Sequence, residues 1–168
     1  MYTTELIENT VSIDTLLKYY DQDKVENYCK NCENYNRIWS CPPHNFNTYE
    51  YLNAYDSADL YALKINIPSG TPKEEVLEIF QKERRLFGDK LMAMEDRSIA
   101  LIAGNCYQCE LCSRQEGNTC ILEDKRRYSL EALGLIVSEI TSNLLGIELK
   151  WTKEGEATYL VTVGALLK

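Results

Sequence analysis

The spacing of apolar residues along the chain predicts helices and strands that alternate. Apolar side chains repeat at helical spacing in three long segments, residues 11–20, 71–94 and 129–145. A further short helix is expected over residues 48–55. Apolar runs bounded by turn residues indicate strands, which cover residues 60–67, 98–103, 147–151 and 158–163. The last two are expected to form a hairpin around residues 153–155, and residues 26–47 are expected to be irregular.

The long central helix carries a start signal of its own. Thr71 can cap the helix, Pro72 suits its first position and Glu74 completes a capping box. The apolar and aromatic residues of this helix share one face, which is expected to pack in the core: Val76, Phe80, Phe87, Leu91 and Met94.

The order of the predicted elements favours an α/β fold, with α+β as the alternative. A strand, a helix and a second strand in succession imply a right-handed parallel crossover, so we expect a small mixed sheet with helices packed on it. The run over 98–103 is almost wholly apolar, which is typical of a central strand buried on both faces. Its end at Gly104, like the turn at residues 69–70, is expected to open on the sheet edge where α/β folds bind ligands.

Length and composition indicate one globular domain over residues 1–168. The chain is 45% hydrophobic and 26% charged, with no repeat or Gly/Ser linker. Its apolar runs are too short for a membrane span, which needs about 20 residues, and its first residues do not read as a signal peptide. A formal net charge of −8 argues against a nucleic-acid partner and favours docking to a basic protein. We therefore expect a cytoplasmic protein with no nucleic-acid or membrane partner.

The seven cysteines fall into two clusters, and this grouping is the strongest chemical signal in the sequence. The first run is C-x2-C-x8-C over residues 29–41, and the second is C-x2-C-x2-C-x7-C over residues 106–120. An odd count does not suit a secreted disulfide framework. The pattern favours a reducing compartment, in which metal holds the cysteines as thiolates.

The second run predicts an iron–sulfur site formed by Cys106, Cys109, Cys112 and Cys120. Closely repeated C-x2-C spacing is a recurrent signature of [4Fe-4S] clusters, although the fourth cysteine departs from the bacterial ferredoxin pattern. Zinc is the alternative, since it also takes C-x2-C pairs. The basic residues 125–127 follow closely, and Arg126 and Arg127 are interpreted either as solvated or as partners of the cluster or of an anionic ligand.

The first run allows two kinds of site. Cys29, Cys32, Cys41 and His44 could form a closed Cys3His zinc site. Alternatively, the three cysteines bind a second cluster and leave one iron open to water, sulfide, substrate or His44. Trp39 is expected to cover the site against water.

A different pairing of the cysteines also fits the sequence. Cys41 could be the remote fourth ligand of a cluster held by Cys106, Cys109 and Cys112. Cys29, Cys32 and Cys120 would then form the other group. The sequence leaves this pairing open.

Several blocks of the chain resemble a prokaryotic family of predicted metal-binding proteins. The resemblance spans roughly residues 29–140 and rests on four blocks: C-x2-C at 29–32, WSCPP at 39–43, C-x2-C-x2-C at 106–112 and R-x-S-x-E-A-x-G at 127–134. It implies metal binding and no particular reaction. Within the last block, Ser129 is expected to cap the third helix, Glu131 to lie in its first turn and Gly134 to allow close packing.

Three functions are compatible with these motifs. The leading one is a [4Fe-4S] protein, with one or two clusters, that transfers electrons or presents a cluster to a redox or metabolic partner protein. The second is an enzyme that uses an open iron of the three-cysteine site as a Lewis acid or sulfur carrier, and the third is a structural zinc module. The common hydrolase, dinucleotide, P-loop and H-E-x-x-H motifs are absent from the sequence.

Overall fold

A four-stranded sheet with helices on both faces forms the framework of the protein. The computed structural model describes residues 1–150 and 158–168. Its strands are β1 (Thr3–Ser12), β2 (Ser57–Asn66), β3 (Ile99–Leu101) and β4 (Tyr159–Leu167). Its helices are α1 (Ile13–Leu17), α2 (Gln22–Cys29), α3 (Thr48–Asn53), α4 (Lys73–Ala93) and α5 (Val137–Leu144). The α/β class expected from the sequence is confirmed.

The strands lie in the order β1-β2-β4-β3, and each neighbouring pair is antiparallel. Because β2 and β3 are both antiparallel to β4, they run parallel to each other with β4 between them. The helix α4 therefore connects parallel strands that are not neighbours, and the expected mixed sheet is an antiparallel one. The sequence could not indicate that the C-terminal strand inserts between two earlier ones.

Alternating side chains of β2 divide the core into two layers. Leu60 and Ala62 belong to the larger cluster, which packs under α1, α3 and α5. Tyr61 instead packs with Phe87 and Leu91 of α4 on the other face. Successive side chains of β2 point to opposite faces of the sheet, and each face is buried against a different layer of helices.

The N-terminal strand β1 was not predicted from the sequence. It pairs with β2 over its whole length, from Thr3 to Ser12, but most of its side chains are exposed. Because most side chains on both faces of this edge strand are exposed, its sequence shows no clear hydrophobic alternation. The helix expected over residues 11–20 begins only at Ile13, where the Ser12 hydroxyl accepts a hydrogen bond from the Thr15 amide.

The long helix α4 lies where the sequence predicts it, but its N-terminus is not capped as predicted. Pro72 is its N-cap and makes no side-chain hydrogen bond there. The Thr71 hydroxyl donates instead to the carbonyl of Pro68 at 2.8 Å. The Thr71 hydroxyl is therefore used within the turn that precedes the helix, and the capping box does not form.

The third predicted helix is interrupted. Residues 131–133 form a 3-10 turn that ends at Gly134, whose φ of +89° lies in the left-handed region. A Cβ there would come within 2.9 Å of the Tyr20 ring, so the position also requires a small residue for packing. Only from Val137 does a regular helix follow.

The predicted C-terminal hairpin is confirmed only in its second strand, which is β4. Residues 147–150 adopt no strand. The turn expected at residues 153–155 lies outside the described residues.

Candidate metal centre

The second cysteine run follows β3 and surrounds a cavity. All four cysteines of the run line this cavity, whose volume is about 460 Å³: Cys106, Cys109, Cys112 and Cys120. The run leaves the carboxyl end of β3, as expected, but β3 is an edge strand rather than a central one. The sheet edge therefore supports only one side of the loop, and other elements must hold the rest.

Helix α4 holds the first part of this loop. The Tyr107 hydroxyl donates to Asp89 Oδ1 at 2.9 Å and lies 3.2 Å from the Arg85 carbonyl oxygen. It packs against Gly88, where any Cβ would overlap the hydroxyl. Burial and the Asp89 hydrogen bond both raise the pKa of Tyr107, so the phenol stays protonated as a donor.

An ion pair holds the end of the loop. The guanidinium of Arg127 makes two parallel hydrogen bonds to the carboxylate of Glu95, at 2.6 and 2.8 Å. Glu95 also accepts the amide of Ala100 at 2.7 Å, which ties the pair to β3. Arg127 is thus a structural residue, whereas Arg126 lines the cavity.

Residues of the first cysteine run contact cysteines of the second. The Trp39 amide donates to the sulfur of Cys112 at 3.4 Å, and the Ser40 hydroxyl accepts the amide of Cys106 at 2.8 Å. Ser40 is fully buried. Burial raises the pKa of the Cys106 thiol, although the backbone amides of Gln108 and Arg127 donate to its sulfur and act in the opposite direction.

Arg114 fastens the two runs together. From the second run, its guanidinium reaches the carbonyl oxygens of Ile38, Cys41 and Pro43 at 3.2, 2.9 and 2.8 Å. A further hydrogen bond of 3.0 Å goes to the side chain of Asn36. The same guanidinium lies over the Trp39 ring, 4.7 Å from its centroid.

The first run forms a separate group of thiols. Cys29 ends α2, and the Cys32 amide donates to its carbonyl at 2.9 Å. Burial raises the pKa of Cys29 and of Cys41 to about 11. Nearby negative charges raise these pKa values further. At Cys29 they come from Glu131 and Cys32. At Cys41 they come from Cys32 and Cys29. Cys29 and Cys32 thus act on Cys41, whereas the four cysteines of the second run line the cavity; which cysteines share a metal stays a prediction.

His44 has another partner in the structure. Its Nε2 is 2.7 Å from the carbonyl oxygen of Ala132, and its ring packs against Phe46 and Tyr128 at 4.9 and 5.3 Å. Burial lowers its pKa, which favours the neutral ring. Metal ligation by His44 stays a prediction, and it would have to use Nδ1.

No group of three His, Cys, Asp or Glu side chains within residues 1–150 and 158–168 is arranged to hold a metal ion. All seven cysteines are free thiols. Those of the second run are distributed around the cavity wall with Trp39, Arg85 and Arg126. This donor set is soft and sulfur-rich, which suits zinc, Cu(I) or an iron–sulfur cluster rather than a hard cation.

Two residues that shape the site were missed from the sequence, Ser40 and Arg114. Ser40 lies inside the WSCPP block, and Arg114 follows Cys112 by two positions. Their position beside cysteines was a possible signal. Their contacts, however, join residues more than 60 positions apart, which the sequence pattern could not reveal.

Comparison with known proteins supports a metal-related role. The family model described as predicted metal-binding protein (DUF2284) matches residues 17–167, which include all seven cysteines. No curated protein and no solved structure matches the chain. Among the described residues, no helix has both the length and the apolar character needed to cross a membrane.

Proposed function

We propose that this chain, which belongs to the family of predicted metal-binding proteins DUF2284, binds a [4Fe-4S] cluster and transfers electrons to a partner protein. The ligands would be Cys106, Cys109, Cys112 and Cys120. The observation that carries the proposal is that these four cysteines line one cavity of about 460 Å³. Family membership supports no more than predicted metal binding, and the cluster and its use are our inference.

The cysteine pattern favours a cluster over a single zinc ion. Zinc takes C-x2-C pairs, but a run of three cysteines at this spacing is a recurrent iron–sulfur signature. Here all four cysteines of the run line one cavity of about 460 Å³. A cubane takes one cysteine at each of its irons, so its ligands approach from the wall of a space that the cluster fills.

The polar surroundings of the cavity also suit a cluster. A [4Fe-4S] core with four thiolates carries net negative charge, and hydrogen bonds to its sulfurs adjust its reduction potential. Arg85 and Arg126 line the cavity, and the Trp39 amide donates to the sulfur of Cys112. Trp39 itself forms part of the wall and would limit the access of water.

The role of the protein follows from this chemistry. A bound cluster supplies one-electron transfer, while the chain holds it, shields it and presents it to a partner. The net charge of −8 favours a partner with a basic docking surface. Seven free thiols are compatible with the reducing cytoplasm.

The first run is proposed as a second metal site. Cys32 contributes to the raised pKa of Cys29, and Cys32 and Cys29 contribute to the raised pKa of Cys41, and each of the three supplies a soft donor. Three thiols are one short of a complete cluster ligand set, so a fourth ligand would come from another group.

The test is an anaerobic purification with iron, acid-labile sulfide and zinc measured together. We expect brown protein that contains iron and sulfide and loses its colour with dithionite. Cys109→Ser should remove much of the iron and sulfide, and Lys125→Ala, a control at an exposed residue shortly after the same cysteine run, should leave the second-run cluster in place. Colourless protein with stoichiometric zinc, even after reconstitution with iron and sulfide, would refute the proposal.

A further inference from the structure

One segment belongs to both cysteine sites. Residues 36–43, here called the strap, carry Cys41 of the first run. Two residues of the strap immediately before Cys41 contact ligands of the second run: Trp39 donates to the sulfur of Cys112 and Ser40 accepts from the amide of Cys106. Since adjacent Cα atoms are about 3.8 Å apart, Cys41 cannot move far without disturbing these contacts.

A side chain of the second run, Arg114, also binds the strap. Arg114 donates to the carbonyls of Ile38, Cys41 and Pro43 and to the side chain of Asn36. The guanidinium is a rigid fork, so these acceptors must keep a fixed arrangement to be bound together. Arg114 thus fixes the path of the strap between the two sites.

Further contacts between the runs lie around the strap. Arg37 donates to the side chain of Gln115 at 2.7 Å, and the Trp39 indole donates to the Asn118 carbonyl at 2.9 Å. The two loops therefore form one packed unit. A change in the conformation of either loop must be transmitted to the other.

We propose that metal loading of the two cysteine runs is cooperative, with Arg114 as the positioning residue that couples them. This inference rests on the proposed function, because it requires both runs to bind metal. A group bound at either site restricts the positions open to the strap, and the contacts of Trp39, Ser40 and Arg114 pass that restriction to the other site. By thermodynamic linkage the effect must be equal in both directions.

The experiment compares loading of the two sites in variants of the full chain. Each protein is reconstituted anaerobically with ferrous iron and sulfide, and iron, sulfide and the rate of cluster loss to a ferrous chelator are measured. The double variant Cys29→Ser/Cys32→Ser keeps all four second-run thiols and the strap. We expect it to lose the second-run cluster about fivefold faster than the wild type, at the lower end of usual coupling strengths.

Substitution of Arg114 tests how the coupling is transmitted. Arg114→Ala should speed metal loss from both runs and should reduce the effect of Cys29→Ser/Cys32→Ser on the second run. Arg114→Lys keeps the charge but lacks the fork, and it should behave like the alanine variant. Lys125→Ala, the matched control, removes an exposed cation after the same cysteine run and should match the wild type.

The outcomes separate the two proposals. If the wild type takes up no iron and sulfide, the proposed function is wrong and the coupling fails with it. If the wild type is loaded but Cys29→Ser/Cys32→Ser keeps its second-run cluster as long as the wild type, only the coupling is refuted. Circular dichroism of the metal-free proteins identifies a variant that fails to fold, and if Arg114→Ala does so, Arg114→Lys tests the role of Arg114 in its place.

Discussion

The hydroxyl of Ser40 offers a direct test of how the strap supports the second cysteine run. It is fully buried and accepts the Cys106 amide at 2.8 Å. Ser40→Ala removes this acceptor and leaves the amide without it. An unsatisfied buried donor costs about 1–3 kcal/mol, but Cys106 is partly exposed, so water can partly replace the hydroxyl. We therefore expect the free energy of unfolding to fall by about 1–2 kcal/mol.

The measurement is urea unfolding of the metal-free protein under anaerobic, reducing conditions. Ser98→Ala is the matched control, because the Ser98 hydroxyl accepts the Asp96 amide at 3.1 Å in an exposed turn. Water can solvate that amide after the substitution, so the expected loss is below about 0.5 kcal/mol. Equal losses in the two variants would refute the claim that burial makes the Ser40 contact important.

Three other predictions address the supports of the site and its charge. The Arg127 hydrogen bonds hold the pKa of Glu95 below its usual range. The stability that Glu95 contributes is therefore complete above the pKa of glutamate in the unfolded chain, about 4.3, and is lost as pH falls through the lower pKa of Glu95 in the folded protein. Glu95→Gln should weaken this loss of stability in acid, measured by urea unfolding at several pH values. Gly134→Ala should lower the free energy of unfolding by about 1–3 kcal/mol through left-handed strain and crowding against Tyr20, more than Gly70→Ala, which has the strain but open space. In reconstituted protein, Arg126→Gln should lower the reduction potential in a potentiometric titration, because it removes a cation that favours the reduced cluster; an unchanged potential would contradict this placement.

Strong local patterns were enough to predict many elements. The helix α4, the helix α3 and the strands β2 and β3 follow apolar periods bounded by turn residues, and their positions are confirmed within a few residues. The family resemblance is also confirmed, over a wider range than its motifs cover. These features depend on neighbours in sequence, so a single sequence contains the required information.

Elements that depend on tertiary pairing could not be predicted in the same way. The exposed strand β1 exists because β2 offers it a paired edge. The helix α2, which was not predicted and overlaps the segment expected to be irregular at residues 26–29, is mostly polar and buries Val25 alone along its length. The insertion of β4 between β2 and β3 likewise depends on packing across the sheet, which no local period records.

The construction of the site explains why bound metal would matter for its stability. The second cysteine run lies beyond an edge strand, and Leu111 within it and Ile121 directly after it are 54% and 72% exposed. Burial of apolar surface therefore contributes little to this loop. The contacts that hold it are largely hydrogen bonds and one ion pair, and a hydrogen bond contributes only about 1 kcal/mol net. Because metal coordination can supply folding free energy directly, a group bound by the four thiols would fix the loop that the sheet leaves unsupported, and the strap would carry that order to the first run.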